Sequence, residues 1–437
     1  MARDLADLGQ GLGQDGPAPC GAGAGGEATL SPGLRTEFVG TRWPLFAMSL
    51  KMGALTVLTL GFYRFWMKTR LRRWYWSAIR PGGHPMEYVG LPEEKLLGFL
   101  IAVVILAFYI GVVNLILMFL SFSVFQGNGA AYVVSAMGVV PLWFFARYRA
   151  RRYILARTRW RGIRFGLEPG AWGYVKQALW HWVLTLLTLG LLWPRKTFYL
   201  EKYITDRTRF GDASMVQGGN WKMLVGSFWP VVAFVAAGGL MVLMLEGTDR
   251  GWISDSTIDA LGGLDQLQRV LIWGLVALVG LAGMAALRYR VRALGILASH
   301  RRLGGVRLLA QPRVGRVMWI YGLGYFLTGL VMVLFFLLFG FGMVMTGMAE
   351  VAISAGQARL GSISPALIVV SVMGYFLMFL LWSSVVSVFV TLPLLRHYAE
   401  TLSLHDTEAL GDIAQRARDE FAEAEGFAEA LDVGAAI

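Results

Sequence analysis

The chain has 437 residues, of which 56% are hydrophobic and 16% charged, and its mean hydropathy is +0.56, which excludes an ordinary soluble domain. Lys and Arg number 40 against 28 Asp and Glu, a net charge of +12. The basic residues sit beside long apolar runs, so anionic membrane lipid is the expected partner and nucleic acid is not.

The first 37 residues, rich in Gly, Ala, Asp and Pro, predict a disordered tail without an apolar signal region. Cys20, in this tail, is the sole cysteine, which leaves no intrachain disulfide or thiolate metal site. Eight apolar segments follow, at about 43–62, 96–122, 130–146, 176–193, 221–245, 270–287, 317–345 and 366–395. Runs of about 20 apolar residues suffice to cross a bilayer as helix, so the chain reads as an all-α, polytopic membrane protein.

The first and fourth segments are near copies. Leu55-Thr56-Val57-Leu58-Thr59-Leu60-Gly61 is matched 129 positions later by Leu184-Thr185-Leu186-Leu187-Thr188-Leu189-Gly190, with Arg80 matching Arg209 and Gly82 matching Gly211. If all eight segments crossed, the cluster led by Arg147, Arg149 and Arg151 and the one led by Arg288, Arg290 and Arg292 would lie on opposite sides. Acidic Glu246, Asp249 and Asp255 would then face inward, against the positive-inside rule. Both conflicts vanish if the two copies enter and leave on one side, ending at Gly61 and Gly190. The expectation is therefore six spanning helices plus two re-entrant or interfacial half-helices, with both termini cytoplasmic; two tilted ordinary spans are the alternative. The repeat units run over 38–168 and 169–316, with a third helix pair at 317–405. An acidic amphipathic tail at 406–437 is placed to lie across the Arg clusters.

Each half-helix feeds a basic connector. Arg64, Lys68 and Arg72 recur at every fourth position, with Arg73 beside them, among Trp66, Trp74 and Trp76. Cations toward headgroups and rings at the apolar boundary describe an interfacial helix. Lys51 and His181 within the half-helices and Asn114 within a span are the candidate intramembrane polar groups, since such groups at membrane depth commonly serve function. Snorkelling to the surface is the plainer account. The five His are scattered without a metal-ligand spacing, and no catalytic triad or nucleotide fingerprint occurs, so neither a cofactor nor an enzymatic reaction is expected.

The connector Thr59-Leu60-Gly61-Phe62-Tyr63-Arg64-Phe65-Trp66-Met67-Lys68, the run Gly83-His84-Pro85-Met86-Glu87-Tyr88-Val89-Gly90 and the ending Gly426-Phe427-Ala428-Glu429-Ala430-Leu431-Asp432 resemble the YjgN-like family of bacterial inner-membrane proteins, a domain of unknown function. The family's usual Pro-Trp is Phe65-Trp66 here. The resemblance implies a multi-pass protein of the bacterial cytoplasmic membrane and supplies no substrate or catalytic residue. Two functions remain: a non-enzymatic role in contact with anionic lipid, and transport or conduction of a small polar or anionic solute at the repeat interface. Oligomeric state is left open.

Overall fold

A computed structural model of the chain describes residues 33–108, 111–112, 115–125, 139–354 and 365–416. Its central feature is a ten-stranded antiparallel sheet, which overturns the all-α expectation. The strands are β1 (Leu34–Phe38), β2 (Ile79–Pro81), β3 (Met86–Tyr88), β4 (Thr158–Trp160), β5 (Ile163–Leu167), β6 (Thr208–Phe210), β7 (Ala213–Gln217), β8 (Arg301–Leu303), β9 (Val306–Ala310) and β10 (Leu402–His405). Their order is β2-β1-β10-β9-β8-β7-β6-β5-β4-β3. The two ends of that order, β2 and β3, are joined through Gly82-Gly83-His84-Pro85, and Pro81 and Pro85 contribute no N–H at this seam. The sheet thereby curls almost into a ring.

The strands form inside what the sequence presents as Arg-rich loops. In Thr158-Arg159-Trp160-Arg161-Gly162-Ile163-Arg164-Phe165 a two-residue turn, Arg161-Gly162, has both φ angles positive (52° and 79°), the twist that suits a tight hairpin. Rings and aliphatic side chains turn inward. Trp160, Phe210, Leu303, Val306 and Leu404 make one buried core, to which Leu410 is added from the segment after β10. That segment forms a short turn over Thr407–Leu410 and runs irregularly to residue 416, where the sequence predicted the start of an amphipathic helix. It is nevertheless fastened to the sheet: Ala414 and Asp212 exchange two hydrogen bonds of 3.1 Å, and the Arg164 amide donates to Gln415 Oε1 at 2.9 Å. Strand β1 claims residues 34–37 from the expected disordered tail.

Four helices among the described residues are long and apolar enough to cross a membrane, not six: Trp221–Asp249, Leu264–Ser299, Val314–Met345 and Ile368–Glu400. The first pair leaves the sheet after β7 and returns at β8, and the second leaves after β9 and returns at β10. Helix Leu264–Ser299 has 36 residues, about 54 Å at 1.5 Å per residue, so its Arg-bearing end extends past the apolar layer to the sheet. Neither of the expected spans at 96–122 and 130–146 is among these four; the described residues of the first are helical over Pro92–Phe108 and Leu115–Phe125, and helix Val139–Ala156 holds the described part of the second.

The two sequence copies form helices Arg42–Leu58 and Ala171–Leu187, each of 17 residues, and neither is among the four long apolar helices. Each folds back through a tight turn onto a basic helix, Arg64–Ala78 in the first case and Trp193–Thr205 in the second. The first hairpin packs on the sheet-side end of helix Ile368–Glu400 through Leu45, Tyr75, Leu392 and Leu395. The second packs on helix Val139–Ala156 through Tyr148, Tyr174 and Ala178.

Candidate lipid-facing site

The twin turns are the same object built twice. The amides of Gly61 and Gly190 each donate to the carbonyl five residues back, Thr56 and Thr185, at 2.7 Å. Those of Leu60 and Leu189 donate to Val57 and Leu186 at 3.0 Å. This is the Schellman closure of a helix C-terminus. Thr59 and Thr188 complete it: each hydroxyl donates at 2.8 Å to Leu55 or Leu184 and accepts the amide of Tyr63 or Leu192. Gly61 and Gly190 take the positive φ expected of them at the helix ends (94° and 90°). The residue before each is left-handed as well, and it is a leucine, with φ of 51° at Leu60 and 49° at Leu189.

A leucine there carries a steric penalty of about 1–2 kcal/mol that glycine avoids. Both leucines are also the most exposed side chains of their turns, at 89% and 94%. Leu58, Phe62, Leu187 and Leu191 are exposed around them. Each hairpin therefore ends in an apolar tip.

The basic helices behind the tips divide their cations between surface and interior. Arg64 and Arg70 are exposed. Arg72 is buried, with its guanidinium 5.2 Å from the Tyr88 ring and 5.8 Å from the Trp76 ring. Arg73 donates to the Gly90 carbonyl at 2.8 Å. Lys68 is half-buried, and its charge acts on Lys95 together with those of Arg72 and Arg73. Burial first, then these three cations, pushes the Lys95 ammonium down to about 6. In the second hairpin Lys196 is enclosed by the rings of Trp182 and Trp193, 3.6 and 3.1 Å from its Nζ. Burial, assisted by Arg147, lowers it to about 8.

The two heaviest Arg clusters meet around one acid that the sequence did not single out. Glu201 lies 3.8 Å from Arg151 and 3.0 Å from Arg301. Burial would raise its carboxyl, but Arg151, Arg301 and Arg147 together hold it below the ordinary range. Buried Gln217 accepts from Arg301 Nε at 2.9 Å and donates to the Leu297 carbonyl at 3.0 Å, tying helix Leu264–Ser299 to β7. A comparable bond in the first unit joins Arg157 and Tyr153 to Glu94, each at 2.8 Å. Nothing in the sequence around these acids sets them apart, and only the partner geometry distinguishes them. Arg147, Arg290 and Arg292 remain exposed, Arg149 and Arg288 are half-buried, and Arg149 lies over the Phe145 ring at 5.4 Å.

Of the candidate intramembrane groups, Lys51 is exposed on the outer side of its helix. His181 is buried and stacked on Tyr199 at 5.0 Å between ring centres; burial, then Arg195, lowers its pKa. The two are not brought together, and Asn114 lies outside the described residues. No cluster of three or more His, Cys, Asp or Glu suited to a metal occurs among the described residues.

These features define a chain with four helices long and apolar enough to cross a membrane, basic segments gathered into an antiparallel sheet, and two short helical hairpins that end in apolar tips. Residues 33–330 match the family described as bacterial protein of unknown function (DUF898), and the chain belongs to that family. No curated protein and no solved structure matches the chain.

Proposed function

We propose that the protein is a non-enzymatic component of the bacterial inner membrane that engages anionic lipid on its basic side, which faces the cytoplasm. The observation that carries this reading is the pair of strained, outward-pointing leucines at the hairpin tips, each within six residues of a basic connector cation, Arg64 or Arg195. An apolar tip enters the acyl region of one leaflet while the adjacent guanidinium stays at phosphate level, the arrangement of an interfacial anchor. Two such anchors, 129 positions apart in sequence, fix the sheet against the headgroup layer. Transport of a small solute draws less support, because Lys51 is exposed while His181 is buried against the Tyr199 ring.

The test is the lipid carried out of a mixed membrane of phosphatidylglycerol and phosphatidylcholine in polymer-bounded particles. Wild-type protein is expected to enrich phosphatidylglycerol, and a variant carrying Arg64→Gln, Arg70→Gln and Arg195→Gln to lose most of that enrichment. Equal recovery of the two lipids by the wild type would remove the basis of the proposal.

A further inference from the structure

A cleft of about 760 Å³ opens where the first turn of helix Arg42–Leu58 meets the sheet-side ends of the last two apolar helices. Its mouth carries three guanidiniums, Arg42, Arg316 and Arg396, contributed by three different helices. Among the described residues neither Arg42 nor Arg316 forms an ion pair, while Arg396 pairs with Glu400 at 3.1 Å. Below the mouth the wall is apolar, with Trp319, Leu323 and Phe389.

The cleft is a consequence of local backbone chemistry. Pro393 offers no N–H to the Phe389 carbonyl four residues earlier, and the helix widens into a π turn over Ser387–Thr391. Facing it, a Cβ on Gly324 would stand 2.7 Å from that carbonyl, so only glycine admits the contact. Buried His397, which also lines the cleft, accepts the Arg313 amide at Nε2 (3.0 Å), and this leaves the neutral ring's proton on Nδ1. Thr41 makes no side-chain cap on the neighbouring helix, whose open N–H groups add positive potential at the same place.

We infer that this cleft binds one acidic glycerophospholipid, its phosphate held by Arg42, Arg316 and Arg396 and an acyl chain lying against Trp319, Leu323 and Phe389. The inference deepens the proposed lipid engagement and rests on it, adding a single built site to a general preference. Guanidinium forks suit phosphate oxygens. The volume is within the range of pockets that enclose most of a small ligand. The apolar wall belongs to helices that lipid already surrounds, so the chain enters from the bilayer and not from solution.

Native mass spectrometry of the full chain in detergent, titrated with phosphatidylglycerol or phosphatidylcholine, tests the site. One phosphatidylglycerol is expected to bind at least about tenfold more tightly than phosphatidylcholine, and Arg42→Gln with Arg316→Gln should weaken it about tenfold, the loss expected for charge-assisted bonds. Leu323→Trp, which fills the cleft and leaves its charges in place, should weaken it as well. Should Leu323→Trp perturb folding, the surface Arg pair still decides the matter. An adduct unchanged by the Arg pair overturns the site, and so does glycerol phosphate competing as strongly as the whole lipid. Either result leaves the enrichment of anionic lipid from mixed membranes intact, so failure of the cleft and failure of the broader proposal are told apart.

Discussion

At the scale of single residues the basic side is not one undifferentiated charge. Strand register sets Arg302 opposite Arg307 and Arg159 opposite Arg164, pairings that repel. Asp406 and Glu168 offset Arg307 and Arg209. Lys95 is the costliest cation outside the spans, buried to 2% exposure beneath the Tyr88 ring. With its folded pKa near 6 and an ordinary value of 10.5, the unfolded chain holds the extra proton between those limits. Linkage then makes stability rise with pH across that window, whereas below pH 6 the penalty is present in full. Lys95→Met is expected to raise stability at neutral pH by about 1–4 kcal/mol, as when buried ionic groups give way to packed apolar ones. It should also flatten the rise expected of the wild type from about pH 6.5 to about pH 9.5. Thermal unfolding in detergent across this range measures both, and parallel profiles for the two proteins would contradict the burial argument.

At the scale of elements, the helical hairpins trade backbone strain for an exposed apolar tip. Glycine at position 60 or 189 would relieve the left-handed strain, so Leu60→Gly and Leu189→Gly should leave the unfolding midpoint unchanged or raise it by the equivalent of about 1 kcal/mol. The same changes should weaken anchoring. With Cys20→Ser as background, a fluorophore at Leu60→Cys or Leu189→Cys is expected to be quenched by lipids brominated near the headgroup end of the acyl chain and much less by lipids brominated at its far end. Quenching by aqueous iodide alone would place the tips in water. These helices were legible in the sequence because 17-residue apolar runs broken by Thr and Gly are long enough to read. The strands were not. Each has three to five residues, so inside-outside alternation repeats once or twice only, and many of the outward positions, such as Arg35, Arg80, Arg302 and Arg307, are arginines that resemble loop. The matching of Gly82 with Gly211 was visible as repetition while its cause, a tight turn between successive strands in each copy, was not. The cleft was equally hidden: Arg42, Arg316 and Arg396 are far apart in sequence and converge only through the π turn and the close approach at Gly324.

At the scale of the whole molecule, the sheet decides topology more firmly than charge counting does. It draws strands from residues 34–38, 79–88, 158–167, 208–217, 301–310 and 402–405, four of which directly follow the helices that carry the basic connectors and the two Arg clusters. A hydrogen-bonded sheet with an Arg-covered face cannot be divided across a bilayer, because its open edges and charges have no partners in hydrocarbon. If the long apolar helices cross a membrane, all six stretches therefore occupy one side, and each pair crosses and returns. The turn between the first pair, with exposed Trp252 and Ser256, is then at the opposite surface. In the Cys20→Ser background, His84→Cys at the seam and Arg302→Cys on β8 are expected to react with a membrane-impermeant maleimide in inverted vesicles and to be protected in right-side-out ones. Ser256→Cys should show the reverse pattern. Labelling of position 84 from one side and position 302 from the other would be incompatible with a single sheet. Labelling of both from the outer side would keep the sheet but turn the basic face away from the anionic inner leaflet, and the lipid proposals would fall with it.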